Sequence, residues 1–129
     1  MKKTPLKRKA KTDHRKTEDA LWQECRRLIF SKYGDICFTC GKPISGSNRH
    51  CAHFIPKAAC GAYLKYDLRN LRPGCYYCNI NLGGNGAVYY RKLLETEGQE
   101  YIDSLFKDKQ ISVKSTDHYL TLLEKYRMM

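Results

Sequence analysis

The chain has 129 residues, 42% of them hydrophobic, with a formal net charge of +11 and a pI of about 9.4. That length fits one compact domain with extensions, and the charge argues for a polyanionic partner, because Lys and Arg displace the counterions condensed on nucleic-acid phosphates. An anionic membrane surface is the rival partner, but no run approaches the roughly 18–20 apolar residues of a membrane span and none resembles a signal peptide, so the chain reads as cytosolic.

Residues 1–16, "MKKTPLKRKAKTDHRK", hold eight Lys or Arg and one acid, with almost nothing to bury. They read as a solvated arm, disordered when free, and as one able to order on phosphates, with Lys7, Arg8 and Lys9 as candidate DNA contacts. "TEDALWQECRRLIFSKYG" follows with a helix signature. Thr17 can cap it, Glu18 and Asp19 suit its positive N-terminal end, and Gly34 stops it. Leu21, Trp22, Cys25, Leu28 and Ile29 share a face at helical spacing and predict core, which leaves Arg26, Arg27 and Lys32 to solvent or DNA.

Residues 35–86 are dense in Cys, Gly, Asn and Pro and show no long periodic run, so short strands and turns around a metal are expected. "AVYYRKLLETEG" reads as a helix with Ala87, Tyr90, Leu93 and Leu94 inward. "EYIDSLF" places Tyr101, Ile102, Leu105 and Phe106 on one face of another. "STDHYLTLLEKYR" starts from a cap at Ser115, Thr116 or Asp117 and buries Tyr119, Leu120, Leu123 and Tyr126. These C-terminal helices are expected to pack on the metal region or on each other. The fold class predicted is α+β, divided into an arm (1–16), a zinc-stabilised core with its leading helix (17–98) and a C-terminal helical extension (99–129).

Seven cysteines in a cytosolic chain are better explained by reduced, buried or metal-bound thiols than by disulfides. The strongest motif is a pair of pairs: Cys37 and Cys40 in "CFTCGK", Cys75 and Cys78 in "CYYCNI". Tetrahedral zinc suits four thiolates, and a two-residue gap lets one turn deliver two sulfurs to one ion. The interval between the pairs is 34 residues, 41–74, well beyond the roughly 15–20 of a simple ribbon. The zinc is therefore expected to be structural and to pin the ends of a folded insertion. Cys25, Cys51 and Cys60 read as packing residues.

Inside that insertion lies "RHCAHFIP". A spacing of three puts His50 and His53 on opposite faces of a flat strand, one packed and one exposed. A zinc role is disfavoured, because the four cysteines already complete a tetrahedron. The remaining option is catalysis: a histidine general base beside a hard cation, Mg²⁺ or Mn²⁺, held by Asn carbonyls, His and water. "NLGGNG" can cradle phosphate through backbone N–H groups or serve as a flexible turn. Tyr76 and Tyr77, inside the second cysteine pair, are the tyrosines best placed to stack on unpaired bases.

The order Cys-x-x-Cys, "AHF", "RNL", "CYYCN" resembles the HNH or ββα-metal nucleases, in which zinc pins an active-site hairpin and helix. Over nearly its whole length the chain is more closely similar to the phage recombination-endonuclease family called NinG or Rap. The similarity is carried by the basic opening "KKTPLKRKAK", the core "HCAHFIP", and "CYYCNINLGGN" followed by Tyr-Arg. The resemblance implies a metal-dependent endonuclease acting on branched DNA, notably Holliday junctions, in the host cytoplasm, with phage recombination proteins as partners. By motif position it implies His53 as general base, Asn70 as the residue holding the active-site loop, and Asn79 as a cation ligand. Arg69 and Arg72 are nearby candidates for phosphate contacts. Many HNH enzymes carry a cation ligand just before the base, where this chain has Ala52; His50, ahead of Asn85 and Asp67, is the first candidate to replace it. Symmetric resolution of a junction needs two cuts, so a homodimer is expected by analogy. Two other function classes fit the charge and the cysteines: a non-catalytic zinc module that binds nucleic acid, and a zinc-stabilised protein-interaction module.

Overall fold

Helix α1 (Asp13–Tyr33) organises the molecule, as seen in a computed structural model that describes residues 12–113 and 116–129. It starts a turn earlier than predicted. Thr12 is the N-cap, its Oγ1 accepting from the Arg15 N–H at 3.2 Å, and Thr17 lies inside the helix with its hydroxyl on the Asp13 carbonyl. The i,i+4 pairs His14–Glu18 and Arg15–Asp19 support that added turn. The predicted boundary at residue 16 thus falls within α1, while Lys7, Arg8 and Lys9 lie outside the described residues. Gly34 ends the helix with a positive φ of 76° and its N–H on the Phe30 carbonyl.

The sheet is a two-stranded antiparallel pair, β1 (His50–His53) with β2 (Leu71–Gly74), in the register His50–Gly74, Cys51–Pro73, Ala52–Arg72 and His53–Leu71. The strands touch closely at Gly74, where an added Cβ would meet the Ala52 Cβ at 3.0 Å. Between them runs a helical segment that the composition did not suggest, α2 (Lys57–Lys65), broken at Gly61 with φ 63°. Then come a π-helical turn at Tyr77–Asn81, α3 (Gly86–Glu97), α4 (Gln99–Asp108) and α5 (Thr116–Arg127). The class is α+β, as expected.

The two strands are buried on both faces. On one, Cys51 and Leu71 join Leu21, Cys25, Ile29 and Phe30 of α1 and Tyr119, Leu123 and Tyr126 of α5. On the other, Ala52 packs with Tyr89, Leu93 and Ile102 of α3 and α4. So α5 packs on α1, in the same core cluster that includes Cys37, Cys75 and Cys78, and the Tyr126 hydroxyl fastens it by donating to the Tyr66 carbonyl at 2.7 Å. On α3 the inward tyrosine is Tyr89, not Tyr90. Its hydroxyl finds the Ala52 carbonyl at 2.9 Å, the partner a buried phenol requires, while Tyr90 and Leu94 are exposed. Leu120 and Phe106, predicted inward, are also exposed.

Arg72 is buried, 1% exposed. Its guanidinium lies 4.5 Å from the Tyr33 ring and near those of Phe38 and Tyr101, and it donates to the Leu71 carbonyl at 2.7 Å and the Tyr101 hydroxyl at 3.0 Å. Its Nε has no partner among the described residues. Arg69 is held by Asp67 and Asp108. The expectation that these two arginines contact phosphate is therefore corrected: one is enclosed by aromatic rings, and the other is neutralised by two carboxylates.

Candidate functional site

The sulfurs of Cys37, Cys40, Cys75 and Cys78 all lie within 4.8 Å of one another. The first pair sits on a knuckle in which the Cys37 N–H bonds to the Lys42 carbonyl and the Gly41 N–H to the Cys37 carbonyl, with Gly41 at φ 77°. The second pair leaves β2 and enters the π-helical turn. Zinc–sulfur bonds of about 2.3 Å in a tetrahedron require sulfurs about 3.8 Å apart, and Cys40 Sγ and Cys75 Sγ are separated by 3.8 Å. The Cys78 N–H and Asn85 Nδ2 point at the sulfurs of Cys75 and Cys78, donors that suit thiolates. This cluster can hold a structural metal ion such as zinc.

The cysteine cluster fixes the segment at one wall of a cavity of about 530 Å³, because Asn79, which lines it, follows Cys78 directly. The cavity runs past the ends of β1 to α1 and is lined by His50, His53, Trp22, Asn79 and Ile80 among others. Both histidines reach it, against the expectation of one packed and one exposed. β1 has a neighbour on one side only, and residues from both of its faces, His50 on one and Cys51 and His53 on the other, line the cavity.

His53 is the most constrained of these groups. Its ring stacks on Trp22, 5.3 Å between centroids and 3° from parallel. Its Nε2 lies 2.8 Å from the Lys65 carbonyl. A carbonyl only accepts, so Nε2 carries the hydrogen and Nδ1 keeps the lone pair. Burial pulls the pKa from 6.5 down to about 4; the Lys65 carbonyl opposes this shift, and the Lys57 and Lys65 charges reinforce it. His53 is therefore a neutral base at neutral pH. The same shift has a consequence for stability. The unfolded chain takes up this proton near pH 6.5 and the folded one only near 4, so the contribution is intact above 6.5 and lost as pH falls towards 4. We expect up to about 3 kcal/mol from this group, read as the difference between urea-unfolding curves of the wild type and His53→Gln at pH 7 and pH 4.5.

Asn70 is fully buried and stands behind the cavity. Its Oδ1 accepts from the Ile55 N–H at 2.7 Å, and its Nδ2 donates to the carbonyls of Ile55 and Leu64. It thereby ties the chain after His53 to the chain just before Lys65, whose carbonyl orients the imidazole.

His50 has both nitrogens engaged. Nε2 faces the Ser47 carbonyl at 3.2 Å, and Nδ1 accepts from Asn79 Nδ2 at 3.1 Å. In this arrangement His50 orients Asn79 and offers no lone pair of its own, which revises its expected place as a cation ligand. Asn79 Oδ1 remains available. Neither alternative replaces it: Asp67 is spent on Arg69, and Asn85 turns to Cys78. Ala52 lies in the core under α3, away from the cavity. Among the described residues no carboxylate lines the cavity. A hard cation would find one amide oxygen and one imidazole nitrogen there, with phosphate and water left to complete its shell.

Three cations line the cavity instead: Arg26, Arg49 and Lys57. Arg49 lies over the Phe30 ring at 3.8 Å and pairs with Asp35, and Arg26 donates to the Arg49 carbonyl. Of the three, the sequence had suggested only Arg26, as one of the residues facing solvent or DNA. The N–H groups of Gly83, Gly84 and Asn85 are bonded to the carbonyls of Ile80, Cys78 and Leu82, so the glycine run forms no nest of free amides.

Residues 1–129 match the family described as Bacteriophage Lambda NinG protein. No curated protein and no solved structure matches the chain significantly.

Proposed function

Because the chain belongs to the bacteriophage lambda NinG protein family, we propose that it is a metal-dependent endonuclease of the HNH type, cutting branched DNA such as Holliday junctions during phage recombination. The observation that carries this reading is His53, a neutral imidazole with a fixed tautomer, its lone pair on Nδ1, in a cavity lined, among the described residues, by three cations and no carboxylate.

The phosphate to be cut binds against Arg26, Arg49 and Lys57, which offset its charge and keep it at the cavity wall. His53 Nδ1 takes a proton from the attacking water, whose oxygen forms the new bond to phosphorus while the bond to the leaving oxygen breaks. The Lys65 carbonyl, already hydrogen-bonded to Nε2–H, stabilises the imidazolium that results. Asn70 acts through the loop it ties and touches no reacting atom. A divalent cation, Mg²⁺ or Mn²⁺, held by Asn79 Oδ1 would neutralise charge on the phosphate and the leaving oxygen. With so few protein donors, that cation is expected to bind well only when DNA is present.

The test is cleavage of a four-way junction, a flap and a linear duplex by the zinc-loaded protein with Mg²⁺ or Mn²⁺. Cutting of the branched substrates in preference to the duplex is expected. Failure to cut any DNA under these conditions would overturn the reading.

A further inference from the structure

The turn after β2 holds four large apolar side chains in solvent. Tyr76, Tyr77, Ile80 and Leu82 are 51%, 59%, 52% and 44% exposed. They fall within seven consecutive residues on a segment that is firmly held. Cys75 and Cys78 anchor it in the thiol cluster, the Tyr76 N–H donates to Asn48 Oδ1 at 2.7 Å, and the Leu82 N–H closes on the Tyr77 carbonyl at 2.9 Å. Exposed apolar groups on a rigid turn contribute nothing to the core, and grouped in this way they mark a contact surface. A π-helical turn is itself a strained geometry that concentrates at functional sites.

The position of the group indicates its partner. Ile80 lines the His53 cavity, and the Tyr76 ring stands edge-on to His50 at 5.7 Å. Ile80 thus brings the apolar group to the rim of a cavity whose charged walls are Arg26, Arg49 and Lys57, while Tyr77, one turn back on the same rigid segment, and Leu82 border the neighbouring hollow beside Cys40 and Asn85. The Tyr77 ring has no aromatic partner and its hydroxyl no hydrogen bond among the described residues, so one flat face is free. A partner that fills both parts must be a polyanion with flat apolar faces beside its phosphates. Nucleic acid meets that requirement where a base has left its stack. Within a continuous duplex each base face is covered by its neighbours, and the ridge would meet only the sugar–phosphate surface.

We propose that Tyr77 and Ile80 form a ridge that stacks against an unstacked nucleobase next to the phosphate held in the His53 cavity, and that this contact favours branched over linear DNA. The inference rests on the nuclease reading for the identity of the polyanion. It adds the means of discrimination, which the cavity lacks, because phosphate contacts carry no information about branching.

The experiment measures binding with no added Mg²⁺ or Mn²⁺, so that nothing is cut and a failure of catalysis leaves the result unaffected. The probes are a four-way junction carrying 2-aminopurine at the branch point and a linear duplex of the same sequence. Wild-type protein is expected to prefer the junction and to change the 2-aminopurine fluorescence. Tyr77→Ala with Ile80→Ala is expected to lose about tenfold or more of that preference, with duplex affinity, zinc content and thermal midpoint unchanged; Tyr77→Phe should retain it. The single alanine variants are read in the same way should the double variant not fold. Three results would each overturn the proposal: no junction preference in the wild type, full preference in the alanine variants, or equal weakening on both DNAs.

Discussion

Replacing His53 by alanine is expected to lower cleavage by about 10²–10⁴-fold, the range a positioned general base supplies, with DNA binding and fold preserved. The cations that line the cavity, Arg26, Arg49 and Lys57, come from α1, from the chain before β1 and from the first turn of α2, and none of them is hydrogen-bonded to His53. Truncation removes the lone pair at Nδ1 and the stack on Trp22, and frees the Lys65 carbonyl beside a cavity that water can enter. The loss should therefore appear in the rate of single-turnover cleavage, while the dissociation constant for junction DNA stays within a few-fold. A matching loss of binding would make His53 a structural residue and remove the proposed chemistry. Added imidazole should restore part of the rate, because the space left beside Trp22 accepts the ring that was removed.

The second large effect is on the fold. Cys75→Ser, or removal of metal by a chelator, is expected to abolish cooperative thermal unfolding of the domain. The cysteines join a knuckle before β1 to the turn after β2, and no covalent link replaces the metal between them; all seven cysteines are free thiols. Structural zinc contributes on the order of 10–16 kcal/mol to folding at neutral pH, against a total stability of about 5–15 kcal/mol for a domain. A serine oxygen is a poor substitute for a thiolate. Circular dichroism melts with parallel zinc determination provide the check, and an unchanged midpoint in the variant would show that no metal sits there. Asn79 is bonded in sequence to Cys78, so partial loss of metal should disturb the cavity before the helices melt.

Some of this was legible in the sequence for physical reasons. Two Cys-x-x-Cys pairs announce their geometry, because one turn of chain can deliver both sulfurs to one ion. The α1 core face was legible because 21 residues of helix repeat the apolar spacing often enough to be recognised. The α2 segment was hidden because Gly61 breaks it after one turn, too short for a period to show. On α3, adjacent tyrosines offered equal apolar faces, and only the Ala52 carbonyl decides between them. The site was legible in parts. The histidines and asparagines stand in motifs, but the identity of the cations that line the cavity depends on which segments the fold brings together. Arg26, Arg49 and Lys57 belong to three different elements or connections, while Arg69 and Arg72, close to Asn70 in sequence, are directed elsewhere by Asp67, Asp108 and three aromatic rings.

That diversion of Arg72 has a consequence for His53. A two-stranded sheet has little to fix its alignment, and a slip of one residue would turn every side chain of β2 to the opposite face. Such a slip would carry Arg72 towards the apolar cluster of Leu21, Cys25 and Leu71, away from its aromatic enclosure, the Tyr101 hydroxyl and the Glu97 carboxylate that it now meets. The buried arginine therefore makes the alternative alignment costly. With β2 fixed, the pairing of Leu71 with His53 is fixed too, and the imidazole is held over the cavity by a cation that is itself buried away from it.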